Sequence, residues 1–168
     1  MTFSDEVEAV LHRAFLAACE AGHAEITPEH IALELIVEDE TATYLMRCGT
    51  DLVAVDARLR AYLKRIEQNG GAEVDAQPSS AFHSVVDSAI ERTEDDGREC
   101  LMLRDLFLAL IDERGSSASI AILEATREPQ VLEELRTYRS EEERVRPNNA
   151  IDSHARKLAL PGARRRGR

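Results

Sequence analysis

Two segments of this chain repeat one pattern of apolar and polar positions, 75 residues apart. Val7 to Glu38 reads VEAVLHRAFLAACEAGHAEITPEHIALELIVE, and Phe82 to Glu113 reads FHSVVDSAIERTEDDGRECLMLRDLFLALIDE. Without a gap, Val10 falls on Val85, Ala14 on Ala89, Gly22 on Gly97, Leu33 on Leu108, Leu35 on Leu110 and Ile36 on Ile111. One extra residue then brings Val55 onto Val131, Leu59 onto Leu135 and Tyr62 onto Tyr138. The matched residues are mostly apolar or glycine, so a packing plan recurs rather than a reactive constellation. A long, twofold repeat predicts a duplicated helical module, not a solenoid. It favours a binding domain over an enzyme.

The periodicity within each copy predicts helices. Val7, Val10, Leu11, Ala14, Phe15 and Ala18 recur at three- and four-residue spacing after Ser4, a good N-cap followed by Asp5 and Glu6. Gly22 is placed to end that helix as a left-handed cap. Thr27 and Pro28 then open a second helix whose run IALELIV is almost wholly apolar, which predicts a central, covered helix. A short helix over 42–48 and a longer one capped by Thr50 or Asp51 complete the copy. The second copy repeats these elements over 81–96, 103–112, 117–125 and 129–139, with Met102 where Thr27 stands and so no equivalent side-chain cap. No strand-like alternation occurs. The expected fold is all-α: a double-repeat domain over 1–145 (repeat one 3–67, linker 68–80, repeat two 81–139), then a basic, mobile tail over 146–168.

Composition narrows the function. The chain has no tryptophan, and no apolar run approaches the ~20 residues that span a bilayer. The acidic start MTFSDEVEAV lacks the basic and apolar regions of a secretory signal. Cys19, Cys48 and Cys100 are odd in number and form no CxxC, as expected of reduced thiols in the cytoplasm. Residues 155–168 hold six basic groups and no acid, leaving 15 basic and 32 acidic residues in the body. Such a body repels phosphate backbones, so the folded part is not expected to bind nucleic acid. No GxxxxGK[ST], GxSxG, HExxH or GxGxxG is present, so no nucleotide cradle or familiar hydrolase site is expected. His12, His23 and His30 lie within one copy and form at most a partial metal set, without a visible fourth ligand. No catalytic residue, metal or cofactor is expected.

At ITPEHIALELI, followed at the right distance by CGTDLVAVDARLRAYL, the chain resembles the Clp N-terminal (Clp repeat) domain of the Clp/HSP100 unfoldases. The nearest likeness is to ClpA and ClpC. The resemblance covers about 3–139 and is specific in the first copy; the second keeps the LFLALI helix and loses the threonine, glutamate and histidine before it. It implies two four-helix repeats related by a pseudo-twofold axis. It also implies a non-enzymatic domain that docks a Clp-system protein: an adaptor, substrate, unfoldase or protease core. The chain is expected to be either a cut-out domain or a free-standing protein of this type, with the tail ARKLALPGARRRGR favouring the second, and to be a monomer when alone.

Site residues carry over only where positions match. In ClpA-like domains an acid before the helix 2 histidine meets the adaptor ClpS, and Glu29 stands there. A second acid five residues earlier is replaced by Ala24, with Glu25 beside it. ClpC-like domains read phosphoarginine with a hydroxyl at the start of helix 1 and the helix 2 glutamate, which Ser4 and Glu29 match. In the second copy Ser79 matches the hydroxyl, but Arg104 replaces the glutamate and would repel a guanidinium. The expected partner-binding residues are therefore Glu29, Glu25 and Ser4. Each also has a local role to play, as N-cap or as acid near a helix start.

Overall fold

Ser4 and Ser79 start equivalent helices in the same way. In the computed structural model, which describes residues 1–66 and 75–137, the Ser4 hydroxyl accepts the Val7 N–H at 3.3 Å and the Ser79 hydroxyl accepts the Phe82 N–H at 3.1 Å. The first half runs β1 (Thr2–Phe3), α1 (Asp5–Glu20), β2 (Glu25–Ile26), α2 (Pro28–Leu35), α3 (Asp39–Arg47) and α4 (Leu52–Leu63). The second runs β3 (Gln77–Pro78), α5 (Ser80–Asp95), β4 (Cys100–Leu101), α6 (Leu103–Asp112), α7 (Ser117–Glu124) and α8 (Pro129–Thr137). Tyr138 and the basic tail lie outside the described residues. Residues Met1–Glu133 form one compact unit; a second, from Glu134, contributes the end of α8 to the described residues.

Both α1 and α5 end on a glycine with φ of 69°, Gly22 and Gly97. The next N–H reaches back five residues, His23 to the Ala18 carbonyl and Arg98 to the Thr93 carbonyl, each at 3.0 Å. This closes the carbonyls at the helix end and reverses the chain, and the positive φ is one that only glycine adopts without cost.

The fold is helical, but among the described residues it contains four short strands that no alternation announces. They pair crosswise between the copies. β1, ahead of the first copy's α1, lies parallel to β4 of the second copy, with Thr2 opposite Cys100 and Phe3 opposite Leu101. β3, ahead of α5, lies parallel to β2 of the first copy, with Glu25 opposite Gln77 and Ile26 opposite Pro78. Each copy's leading strand is thus held by the other copy. The same symmetry passes between Thr50 and Thr126, whose hydroxyls lie 2.8 Å apart in an isolated antiparallel bridge. On either side, the Asp51 N–H donates to the Ala125 carbonyl at 3.0 Å and the Glu128 N–H to the Cys48 carbonyl at 3.1 Å.

Helices α2 and α6 occupy the middle, against each other and between α1, α5 and α7. Eight residues of α6, from Leu103 through Ile111 with the exception of Arg104, are buried, and α2 buries Ile31, Ala32 and Leu35 along with three residues of its first turn. From α4, Val55, Leu59 and Leu63 close one side at four-residue spacing. None of the three cysteines is in a disulfide, and of them Cys48 is the one that is buried. Among the described residues, no helix is long and apolar enough to cross a membrane.

Not every apolar pair from the repeat alignment matches in burial: Val55 is buried, whereas Val131 is half-buried. Leu108 is buried, whereas Leu33 is only half-buried. The fully buried equivalents are Leu35 and Leu110, both 0% exposed. Leu35→Ala and Leu110→Ala are each expected to lower unfolding free energy by about 2–5 kcal/mol in urea titrations. Leu33→Ala should lower it clearly less; equal losses at Leu33 and Leu35 would contradict the packing described.

Candidate functional site

The start of α2 carries the residues singled out by sequence, and it lies in the interior. Glu29 is 2% exposed. Its carboxylate accepts the backbone N–H of Ala118 at 3.1 Å, in the first turn of α7. An anion there meets an unpaired helix N–H and the positive end of the α7 dipole. Burial in the first place, and then the Glu29 carboxylate, raise the pKa of Tyr62 above its ordinary value. The role expected for Glu29, direct contact with a partner, does not fit this placement: the side chain joins the two copies instead.

Nor are Ser4 and Glu29 two sides of one pocket. Because the leading strands cross, the Ser4 N–H donates to the Leu101 carbonyl at 3.0 Å, which sets Ser4 against the start of α6. The serine beside the start of α2 is Ser79, whose N–H donates to the Ile26 carbonyl at 2.9 Å. Glu25 is exposed on β2, opposite Gln77.

The starts of α2 and α6 differ in chemistry rather than in whether they are capped. His30 Nδ1 accepts the Thr27 N–H at 3.0 Å, and the equivalent Asp105 carboxylate accepts the Met102 N–H at 3.0 Å. Each capping side chain is braced by the residue after the helix-ending glycine. His23 Nδ1 lies 2.8 Å from His30 Nε2, while Arg98 grips Asp105 with two bonds of 2.6 and 2.7 Å. The histidine tautomers follow from the donors. With Nδ1 accepting from Thr27, the His30 proton sits on Nε2 and is donated to His23, which donates in turn to the Leu63 carbonyl. Among the described residues, no group of three or more His, Cys, Asp or Glu could hold a metal ion.

A groove of about 380 Å³ is assembled around Ser4. Ser4 and Glu6 supply one wall, Val37 to Glu40, from the turn after α2 into the first turn of α3, the second, and Met102 and Leu103 the third. Val37 is 65% and Met102 42% exposed, so apolar surface faces solvent. Four carboxylates and no base line it. Glu38 is already ion-paired with Arg13, which also holds Glu34 at 2.8 Å. Glu6 is held below the usual carboxylate range by its own backbone N–H and then by the Ser4 hydroxyl. Of the expected site residues the groove contains Ser4 alone. The available signal for the rest was the run VEDE directly after an apolar helix, which places a valine and three acids where a helix stops.

Two expectations follow. Burial, and then His23, lower the pKa of His30 to about 4, and burial lowers that of His23. Both groups therefore bind protons more readily in the unfolded chain. Their contribution to stability is complete above the ordinary histidine range near 6.5 and is lost as pH falls toward about 4. A protonated His30 also cannot accept from Thr27. Melting temperature should drop between pH 7 and pH 5, and the double change His23→Arg with His30→Asp, which copies the second brace, should flatten that drop; parallel curves would refute the role of the pair. Glu29→Ala should cost about 1–3 kcal/mol in urea unfolding by stranding the Ala118 N–H, well above the few tenths of a surface helix-start acid.

Comparison with known proteins supplies the kinship. The family model for the Clp repeat (R) N-terminal domain matches residues 2–125. A ClpA homolog protein of Fuscovulum blasticum is 27% identical over 128 residues, 73% of this chain and 16% of that protein, so the chain spans a small part of its relative. The Hsp104 N-terminal domain from Candida albicans superposes with a TM-score of 0.71 at 15% identity, covering 80% of this chain and 89% of that one. The N-terminal domain (1–163) of the ClpV1 ATPase from E. coli superposes with a TM-score of 0.58 at 21% identity, covering 90% and 86%. The two structures are alike in fold, and the family model covers most of the chain: it belongs to the Clp repeat N-terminal domain family.

Proposed function

We propose that this chain is a non-catalytic docking module of the Clp proteolysis machinery. It engages an adaptor, substrate, unfoldase or protease core through the groove beside Ser4, without a cofactor, as a monomer in the cytoplasm. The observation that carries this reading is the groove itself. It joins exposed apolar floor (Val37, Met102) to an acidic rim (Glu6, Asp39, Glu40). Such a surface fits a segment in which an apolar side chain is flanked by lysine or arginine, because burial supplies affinity and the charges supply register and encounter rate.

Glu25 stands exposed on β2 and offers a further carboxylate to a partner that extends beyond the groove. A phosphoarginine sensor fits less well. A phosphoryl group near Ser4 would face carboxylates with no base among the groove residues, and Glu29 points into the domain. That charge balance favours a basic protein segment.

Binding of purified ClpS, Clp protease core and unfoldase subunits to the immobilised chain tests the reading. The pair Asp39→Lys with Glu40→Lys should weaken the complex and remove most of its salt dependence, while Val37→Asp weakens it at all salt concentrations. Phosphoarginine, titrated alone, should leave the groove unoccupied. A complex indifferent to all three substitutions would place the docking surface elsewhere.

A further inference from the structure

A second concave surface lies away from the acidic groove, between α4 and α7. Arg58, Ala61, Tyr62 and Arg65 line it from α4 and the turn that follows. Ser117, Ile120, Ala121 and Glu124 line it from α7. The two sets share one spacing, i, i+3, i+4 and i+7, so each helix turns a single stripe into the cleft. The space between them is about 250 Å³. Ile120 is 47% exposed, and Leu123, three residues on, is 37% exposed.

The charge is reversed relative to the groove. Two guanidinium groups and one carboxylate line the cleft, in a chain of net charge −11. Arg58 holds Glu124 at 2.8 Å, but both side chains are at least half exposed, at 50% and 63%. An exposed pair of this kind is worth little and exchanges readily for another carboxylate. Arg65 donates its Nε to the Ala61 carbonyl at 3.2 Å, which holds the guanidinium along the cleft wall. Arg58 and Arg65 are seven residues apart, about two helical turns.

We infer that this cleft is a second docking seat, for an acidic amphipathic helix of a partner protein. Such a helix lays an apolar stripe on Ile120 and Ala121, as helix-in-groove recognition requires. Carboxylates two turns apart meet Arg58 and Arg65, the first displacing Glu124. The seat extends the docking-module reading and rests on it. Its ligand has the opposite charge from that of the acidic groove, so the domain can hold two unlike segments at once.

The test uses two synthetic helical peptides of about 18 residues, five turns, that share one leucine stripe. One carries glutamates two turns apart, the other lysines at those positions. In fluorescence anisotropy with the full chain, the glutamate peptide should bind at least about tenfold tighter. Ile120→Glu and Arg65→Glu should each reverse that preference or abolish binding, with melting curves unchanged because both side chains are exposed. Arg65→Gln should give a smaller loss. Asp39→Lys, in the other groove, should leave glutamate-peptide affinity unaltered. Amide shifts on the unsubstituted protein should map to α4 and α7. Equal binding of the two peptides, no binding at all, or shifts confined to the acidic groove would overturn the proposal. Because the acidic groove is tested by capture of Clp components, failure here with capture intact removes the second seat alone.

Discussion

A helix that begins inside a protein must have its first N–H groups satisfied by the protein, because no water reaches them. Helix α2 begins there, and α6 meets the same demand at Leu103 and Asp105, which are buried although its N-cap Met102 is 42% exposed. Their solution is identical in outline: the third residue of the helix turns back to the N-cap amide, and the residue after the preceding glycine steadies it. His30 with His23 does this in one copy, and Asp105 with Arg98 in the other. Glu29 performs the same service across the copies for α7. With these starts closed, the apolar length of both central helices can be covered on nearly every side.

The two braces show how a duplicated module diverges without losing its shape. One is a neutral chain of donors and acceptors; the other is an ion pair in which Asp105 is buried and Arg98 partly exposed. Either satisfies the geometry, but they respond differently to acid, since only the histidines change charge near neutrality. At the position just before these capping residues the copies diverge further. Glu29 reaches α7, while its counterpart Arg104 is half-buried at the start of α6. Shared packing beneath unlike polar residues suits a module that presents different surfaces from one scaffold.

Interleaving makes that scaffold a single body. Since β1 pairs with β4 and β3 with β2, neither copy can complete its own entry strand. The acidic groove is a product of this exchange, for it places the start of the first copy's α1 beside the start of the second copy's α6. The cleft between α4 and α7 likewise takes one wall from each copy. Concave surfaces arise where the copies meet, and their charge depends on which residues each copy brings.

Much of this fold was legible along the chain. Three- and four-residue apolar spacing, Ser4 as a cap, Thr50 or Asp51 as another (the structure selects Asp51, whose carboxylate accepts the Ala54 N–H at 3.0 Å), and Gly22 and Gly97 as terminators are local signals, because a helix makes its bonds within a few residues. The 75-residue repeat added the pairing of helices in equivalent roles. Two-residue strands carry too few positions to show an alternation, so the crossing was not legible, and with it the neighbours of Ser4. Glu29 illustrates the same limit. Its sequence position identifies an acid at a helix start, which suits a surface contact or a dipole partner equally well. Its actual partner, the Ala118 N–H, is 89 residues away and is chosen by how α2 packs on α7. Local order follows from hydrogen bonds and side-chain periods that neighbouring residues set among themselves. Which surfaces face one another follows from non-local packing, and that was decided only in the tertiary structure.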